Sequence, residues 1–245
     1  MIQQPASCPA AIAALLTAGA VMTIVWHDSM PTMLGIPMPG GWIMSPAWQP
    51  MCGQTWFGAE TAFLIMWAVM MGPMMLPSLM PILWRDRQPS HRTALMAAGY
   101  FFVWALFGVV IFPLGATLAV LETNLPALAR TVPTATGLVV LIAGALQFTA
   151  WKARHLACCR DLPTDGRTPA WQHGMRLGLH CGHCSAGLTL VLLVTGMMDP
   201  WTMAAVTIAI TAERLAQAGE RVAHAIGIVV IAVGLLLIAR AAGFG

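Results

Sequence analysis

Long apolar runs separated by short polar stretches dominate the chain. Apolar runs that could cross a bilayer, which takes roughly 17 to 25 residues, fall at about residues 10–26, 59–83, 94–121, 134–151, 177–198, 200–215 and 222–241, and the first and sixth of them are short. The alternating pattern of an outer-membrane barrel strand is not seen. Because only helices and closed barrels satisfy their backbone in lipid, the pattern predicts an all-α fold: a polytopic transmembrane bundle of about seven helices. We expect the whole chain, residues 1–245, to be a single transmembrane domain.

The first apolar run, AAIAALLTAGAVMTIVW, has a length that a signal peptide could also have. No basic residues precede it, and no convincing small-residue cleavage site follows it. We therefore interpret it as a retained helix that adds to the other six.

The composition supports a membrane protein and excludes several function classes. Hydrophobic residues make up 58% of the chain and charged residues only 9%, whereas soluble domains carry about 25% charged residues. The sequence contains no nucleotide-binding loop, hydrolytic triad or paired-carboxylate site, and nothing in it favours nucleic-acid binding. The bilayer is thus the expected partner, and a non-catalytic role is favoured over an enzyme.

The basic residues predict the orientation. Ten of the twelve Lys and Arg residues fall in three connections that lie on one face of the predicted bundle. By the positive-inside rule, these connections and the N-terminus are cytoplasmic, in a bacterial inner membrane. Residues 27–58, rich in Pro, Gly, Met and Trp, form an outside loop without regular structure. Residues 152–173 form a turn-rich cytoplasmic loop that contains Cys and His.

The motif LHCGHC, which begins at Leu179, carries the clearest candidate chemistry. Residues three or four apart share a helix face, so its two histidines and two cysteines present converging pairs. Thiolate and imidazole together suit zinc, copper or iron. The preceding connection adds His155, Cys158 and Cys159 on the same membrane face.

Two further groups lie at a comparable depth. A carboxylate inside a membrane, such as Glu213, costs about 2.5–3.5 kcal/mol unless it has a partner. We expect that partner to be a metal ion, a cation such as Arg214 or Arg221, or the dipole of a neighbouring helix. Methionine thioethers favour Cu(I), although methionine also fills packed cores. The predicted metal ligands are His155, Cys159, Cys181, Cys184, His180, His183, Glu213, Met74 and Met75.

The ordered motifs AGALQFTAWKARHLACCR, GLHCGHC, GMMDPWTM and AERL resemble a bacterial family of predicted metal-binding integral membrane proteins. The resemblance covers roughly residues 59–240. It implies a membrane bundle with a metal site. Its motif positions are matched by Trp67, Met70, Met74, Met75, Pro77, Gln147, Thr149, Lys152, Cys159, Arg160, Cys181, Cys184, Met198, Met203 and Glu213.

Two of the five departures from the family pattern fall on candidate ligands. His155 stands where the family has a cysteine, an exchange of one metal ligand for another. His180 replaces an aromatic residue, Asp199 replaces Asn, and Ser185 and Ala186 replace Cys and Trp. These differences leave the metal and its coordination number open.

Three functions follow. The first is binding of a soft transition metal, copper first and zinc second, for delivery, storage or export in support of a cuproenzyme. The second is an accessory subunit of a larger membrane complex, because Gly137, Gly144 and Ala145 suit close helix contact. The third is a transmembrane thiol oxidoreductase that uses Cys181, Cys184 and the Cys158–Cys159 pair in an electropositive setting.

Overall fold

The computed structural model describes residues 35–50, 53–85, 90–161, 168–197, 199–216 and 218–243, with the backbone alone at 78, 80–85, 90 and 158–161. Within these ranges the chain forms seven α-helices, and the predicted all-α bundle is confirmed. The first predicted helix, residues 10–26, lies outside the described residues. The helices are α1 (Trp56–Arg85), α2 (Ser90–Asn124), α3 (Pro126–Leu146), α4 (Ala150–Asp161), α5 (Ala170–Thr195), α6 (Pro200–Leu215) and α7 (Gly219–Ala241).

Five of these helices are long and apolar enough to cross a membrane. They are α1, over Trp56–Pro77, and α2, α3, α5 and α7 over nearly their whole lengths. Helix α6 has 16 residues, fewer than the roughly 20 that a spanning helix needs.

Helix α4 corrects the prediction of a turn-rich loop at residues 152–173. Helix α3 ends at Leu146, not at 151 as predicted, and a new helix starts after Thr149. The Thr149 hydroxyl accepts a hydrogen bond of 3.3 Å from the backbone N–H of Lys152, which satisfies one of the free donors of the first turn. Lys152 and Leu156 are buried one turn apart, so α4 packs one face against the bundle.

A β-hairpin corrects the prediction of an irregular loop at residues 27–58. Strands β1 (Ile36–Met38) and β2 (Trp42–Met44) pair antiparallel, and a 3-10 turn follows at Pro46–Trp48. Gly40 and Gly41 make the hairpin turn with φ of 112° and 76°, values that residues with a side chain rarely adopt. The Trp42 indole N–H donates to the Ala129 carbonyl at 2.8 Å, which anchors the hairpin to α3.

Replacing Trp42 by Phe should loosen the hairpin by about 1 kcal/mol, the usual net contribution of one hydrogen bond. Amide hydrogen exchange at Met38 and Met44 would measure the opening free energy. Ile43→Ala is the matched control, because Ile43 is 70% exposed and its loss should change stability by less than about 0.5 kcal/mol. Equal exchange in both variants would contradict the anchoring role.

Glycines let α3 and α7 approach closely. A Cβ atom on Gly137 would lie 3.1 Å from the Gly234 carbonyl oxygen, and one on Gly144 would lie 3.1 Å from that of Gly227. The close helix contact expected of Gly137 and Gly144 is therefore made within the chain.

The main core lies between α1, α2, α5 and α6 and contains many sulfur-bearing and aromatic side chains. The Trp67 indole N–H donates to the Trp104 carbonyl at 2.8 Å, which fixes α1 against α2. One and two turns further along α1, Met71 and Met75 are fully buried. This packing brings the Met75 thioether to the LHCGHC face of α5.

Candidate metal site

The two cysteines of the LHCGHC motif face the interior of the bundle from one side of α5. Cys181 is 0% exposed and Cys184 is 2% exposed. Neither forms a disulfide bond. Because they are three residues apart on a helix, their side chains lie about one turn from each other along the same face, as the motif predicts.

Cys181 contacts a second sulfur atom and a phenol. Its Sγ lies 3.8 Å from the Sδ of Met75 and 2.9 Å from the hydroxyl oxygen of Tyr100. Met75 and Tyr100 are both fully buried. The site thus joins residues of α1, α2 and α5 around one thiol.

The position of Tyr100 depends on the close packing of α2 on α5. A Cβ atom on Gly178 would lie 3.0 Å from the Tyr100 carbonyl oxygen and 3.0 Å from Cβ of Val103. One turn earlier, a Cβ on Gly174 would meet the Met96 backbone. The missing side chains at these two positions let the Tyr100 hydroxyl reach Cys181.

Cys184 contacts charged groups from two other helices. Nη2 of Arg214, on α6, donates to the Cys184 Sγ at 3.0 Å. The Lys152 ammonium, on α4, donates to the Cys184 carbonyl oxygen. The second cysteine therefore lies beside two cationic side chains, one at its sulfur atom and one at its carbonyl oxygen.

Glu213 forms a buried ion pair. Its Oε2 lies 2.7 Å from Nζ of Lys152, and the two side chains are 3% and 6% exposed. We predicted a metal, a cation such as Arg214 or Arg221, or a helix dipole as its partner, and the cation that the structure pairs with it is Lys152. The pair neutralises two charges that would each be costly to bury alone.

Three imidazoles form a separate group where α4 meets α5. The ring centre of His155 lies 5.1 Å from that of His183 and 5.7 Å from that of His180, and the Trp151 indole packs beside them. Burial, and then the neighbouring His183 and His180 rings, lower the pKa of His155. A lowered pKa favours the neutral imidazole that binds metals.

The predicted ligands thus fall into two groups rather than one. Met75, Cys181 and Cys184 belong to the interior group, and His155, His180 and His183 to the group at α4. Met74 is buried in the core next to Met75, and the side chain of Cys159 lies outside the described part. Within the described ranges, no three His, Cys, Asp or Glu side chains already surround a position that could hold an ion.

Three residues near the thiols were not among the predicted ligands. Tyr100 and Arg214 contact Cys181 and Cys184, and Lys152 contacts Glu213. Lys152 carried a usable signal, because it is the only lysine of the chain and lies in a family motif. Tyr100, the only tyrosine, carried no signal beyond its rarity.

Comparisons with known proteins give one family match. The model of the PpoB2 family, described as copper chaperone, matches residues 64–237. None of the curated proteins and none of the solved structures compared with the chain matches it. The matched range covers well over half of the chain and nearly all of the range over which we noted a resemblance to a metal-binding family. The predicted relation to metal-binding proteins is thereby confirmed, and the chain belongs to the PpoB2 copper chaperone family.

Proposed function

We propose that this protein is a membrane-embedded chaperone that holds Cu(I) between Cys181, Cys184 and Met75. The observation that carries the proposal is the separation of 3.8 Å between Cys181 Sγ and Met75 Sδ. Two sulfur ligands bound at about 2.3 Å to one tetrahedral ion lie about 3.8 Å apart. The two sulfur atoms therefore already have the spacing of ligands that share an ion.

The ligand types favour copper over harder metals. Thiolate and thioether are soft donors, and thioethers in particular select Cu(I). The side chains in contact with the Cys181 thiol include the Met75 thioether and the Tyr100 hydroxyl. That hydroxyl donates to the thiolate once the thiol has lost its proton, and so stabilises the bound state.

The buried charges favour Cu(I) over zinc. Lys152 and Glu213 neutralise each other, which leaves the positive charge of Arg214 beside Cys184. Two thiolates and one Cu(I) ion together carry a single negative charge, so the loaded site is neutral. The same ligands with Zn²⁺ leave one positive charge in the interior, where uncompensated charge is costly.

Loading exchanges protons for the ion. The two thiols release their protons as Cu(I)–sulfur bonds form, because only the thiolate coordinates strongly. Met75 adds its thioether without a change in charge. Release of copper to an acceptor returns both protons. No oxidation or reduction is needed, which suits delivery or storage of the ion and equally its export.

The membrane setting follows from the outer surface. Residues such as Val110, Leu114, Ile228 and Val229 are 58–62% exposed on helices long enough to span a bilayer. Such apolar side chains are compatible with lipid, and large exposed apolar faces are rare on soluble monomers. With the basic connections inside, we place the bundle in an inner membrane.

The burial of both thiols argues against the thiol oxidoreductase alternative. Disulfide exchange requires a thiolate that a partner's sulfur can reach, and Cys181 and Cys184 are almost fully enclosed. A small ion needs far less access. A copper chaperone therefore accounts for the same pair of cysteines better than an exchange enzyme.

Anaerobic Cu(I) titration against a chromophoric competitor tests the proposal. Cys181→Ser should lower the Cu(I) affinity by more than about a hundredfold, and Met75→Leu by about ten- to a hundredfold, since even residues behind the ligands contribute that much. X-ray absorption of the loaded wild type should give sulfur neighbours at about 2.3 Å.

Met71→Leu is the matched control, because Met71 is buried one turn away on the same helix. It should keep the wild-type affinity. Elemental analysis of the anaerobically purified Cys181→Ser/Cys184→Ser variant should give less copper than the wild type. Equal copper content and equal affinity would refute the proposed site.

A further inference from the structure

The imidazole group at α4 is not used by the proposed copper site. His180 and His183 alternate with Cys181 and Cys184 along α5, yet their rings meet His155 of α4, whereas the thiols contact α1, α2 and α6. His183 is exposed, and His155 and His180 are half-buried. The three rings are therefore more accessible from outside the bundle than the enclosed sulfur atoms.

Two of these rings have a nitrogen available for a ligand. Nδ1 of His183 lies 2.7 Å from the Leu179 carbonyl oxygen, so it carries the proton and donates, and Nε2 keeps a free lone pair. Metal-binding histidines are commonly oriented by such a bond to a backbone carbonyl. Nδ1 of His155 is buried and has no hydrogen-bond partner among the described residues. Binding an ion would satisfy it.

The ring separations match those of imidazoles on a shared ion. Two imidazoles bound through nitrogen at about 2.0 Å to one tetrahedral ion have ring centres about 5 Å apart. The observed separations are 5.1 Å for His155–His183 and 5.7 Å for His155–His180. The His155 and His183 planes are 14° apart, so loading requires one ring to rotate about χ2, a soft torsion in histidine.

We propose that His155, His180 and His183 form a second copper site, through which Cu(I) exchanges between the outside of the bundle and the buried thiols. The binding site stands on the imidazoles alone, and the exchange role rests on the proposed function. Cys184 connects the two sites, because it lies one helical turn after His180. A copper–nitrogen bond breaks as the bond to Cys184 sulfur forms, and the thiol proton passes to the released imidazole.

Anaerobic Cu(I) stoichiometry in four forms of the full chain tests this site. The wild type should bind two Cu(I) ions. His155→Ala/His183→Ala should bind one, with sulfur ligands. Cys181→Ser/Cys184→Ser should also bind one, and X-ray absorption should give it nitrogen neighbours at about 2.0 Å. His91→Ala/His224→Ala, which removes two histidines outside the group, should bind two like the wild type.

The exchange role has its own readout. The His155→Ala/His183→Ala variant should release its remaining copper to a chelator more slowly than the wild type, by on the order of tenfold. His183→Gln retains a polar side chain and should also be slow, which separates this effect from misfolding.

The outcomes separate this proposal from the buried site. A second copper that survives His155→Ala/His183→Ala overturns the imidazole site. So does a Cys181→Ser/Cys184→Ser variant that binds no copper. If the cysteine variant instead keeps the full wild-type copper content while the histidine variant loses one ion, the imidazole site stands and the thiol site is refuted. Unchanged release rates overturn the exchange role.

Discussion

Replacing Lys152 by Met is expected to destabilise the folded protein by about 3–5 kcal/mol, the usual effect of removing one partner from a buried ion pair. The Glu213 carboxylate would stay in the interior without the ammonium group that lies 2.7 Å away. The backbone carbonyl of Cys184 would also lose the hydrogen bond that Lys152 donates. Reversible unfolding in mixed detergent micelles measures the change in free energy.

Two variants make this prediction specific to the pair. Arg154→Met removes a positive charge from the same helix, but Arg154 is exposed, so stability should change by less than about 0.5 kcal/mol. The double variant Lys152→Met/Glu213→Gln removes both charges of the pair, so neither is left without its partner, and it should be more stable than Lys152→Met alone. If the double variant is the less stable of the two, the ion pair does not have the role assigned to it.

The same substitution tests the charge argument for copper. Without Lys152, the loaded Cu(I) site carries one net negative charge in place of none. The Cu(I) affinity of folded Lys152→Met should therefore fall, and the double variant should recover it in part. An affinity that rises in the single variant would mean that the buried charges do not set the choice of ion.

Much of the fold was predictable because a helix that crosses a membrane needs a long apolar segment, and such a segment is visible in the sequence. Each of the five described helices that could span a membrane was found in this way. Helix α4 was missed because its sequence, AWKARHLACCRD, mixes charged and apolar residues over 12 positions and was taken for a loop. The hairpin was missed because each strand has only three residues, too few to establish an alternating pattern.

The site was predictable only as far as it is local. The spacing of Cys181 and Cys184 along one helix is enough to predict a shared face. The Lys152–Glu213 pair joins residues 61 positions apart, and no periodicity tells which helices become neighbours. Met74 and Met75 differ by about 100° around α1, and the packing of Trp67 against α2 decides that Met75 meets Cys181.

The separation of the predicted ligands into an imidazole group and a thiol group also depends on which helices become neighbours. His180 and Cys184 are four residues apart, so the helix alone predicts that imidazole and thiol share a face. Helix α4, which the sequence did not reveal, draws the imidazoles toward His155 and Trp151. The Cys181 and Cys184 thiols instead contact α1, α2 and α6. Contacts with different neighbours thus separate side chains that a helical pattern places together.

Replacing Gly174 by Ala is expected to cost about 3 kcal/mol or more, because the new methyl group meets the backbone of α2. Its Cβ would lie 2.8 Å from the carbonyl carbon and 3.0 Å from Cα of Met96. The backbone of α2 cannot relieve the overlap by changing rotamer, as a side chain could. Helices α2 and α5 must therefore move apart. Separation also draws the Tyr100 hydroxyl away from Cys181, and Cu(I) affinity should fall with stability.

Two other glycines complete a graded series. In Gly178→Ala the new Cβ would lie 3.0 Å from the Tyr100 carbonyl oxygen and 3.0 Å from Val103 Cβ. This variant should lose about 1–2 kcal/mol of stability. In Gly72→Ala, on α1, the new Cβ would have no described atom within 4 Å. This variant should be more stable than the wild type by up to about 1 kcal/mol, because alanine favours the helix. Thermal unfolding in detergent measures all three. If Gly174→Ala and Gly72→Ala have equal effects, close approach of α2 and α5 does not hold the site together, and the Tyr100–Cys181 contact depends on other packing.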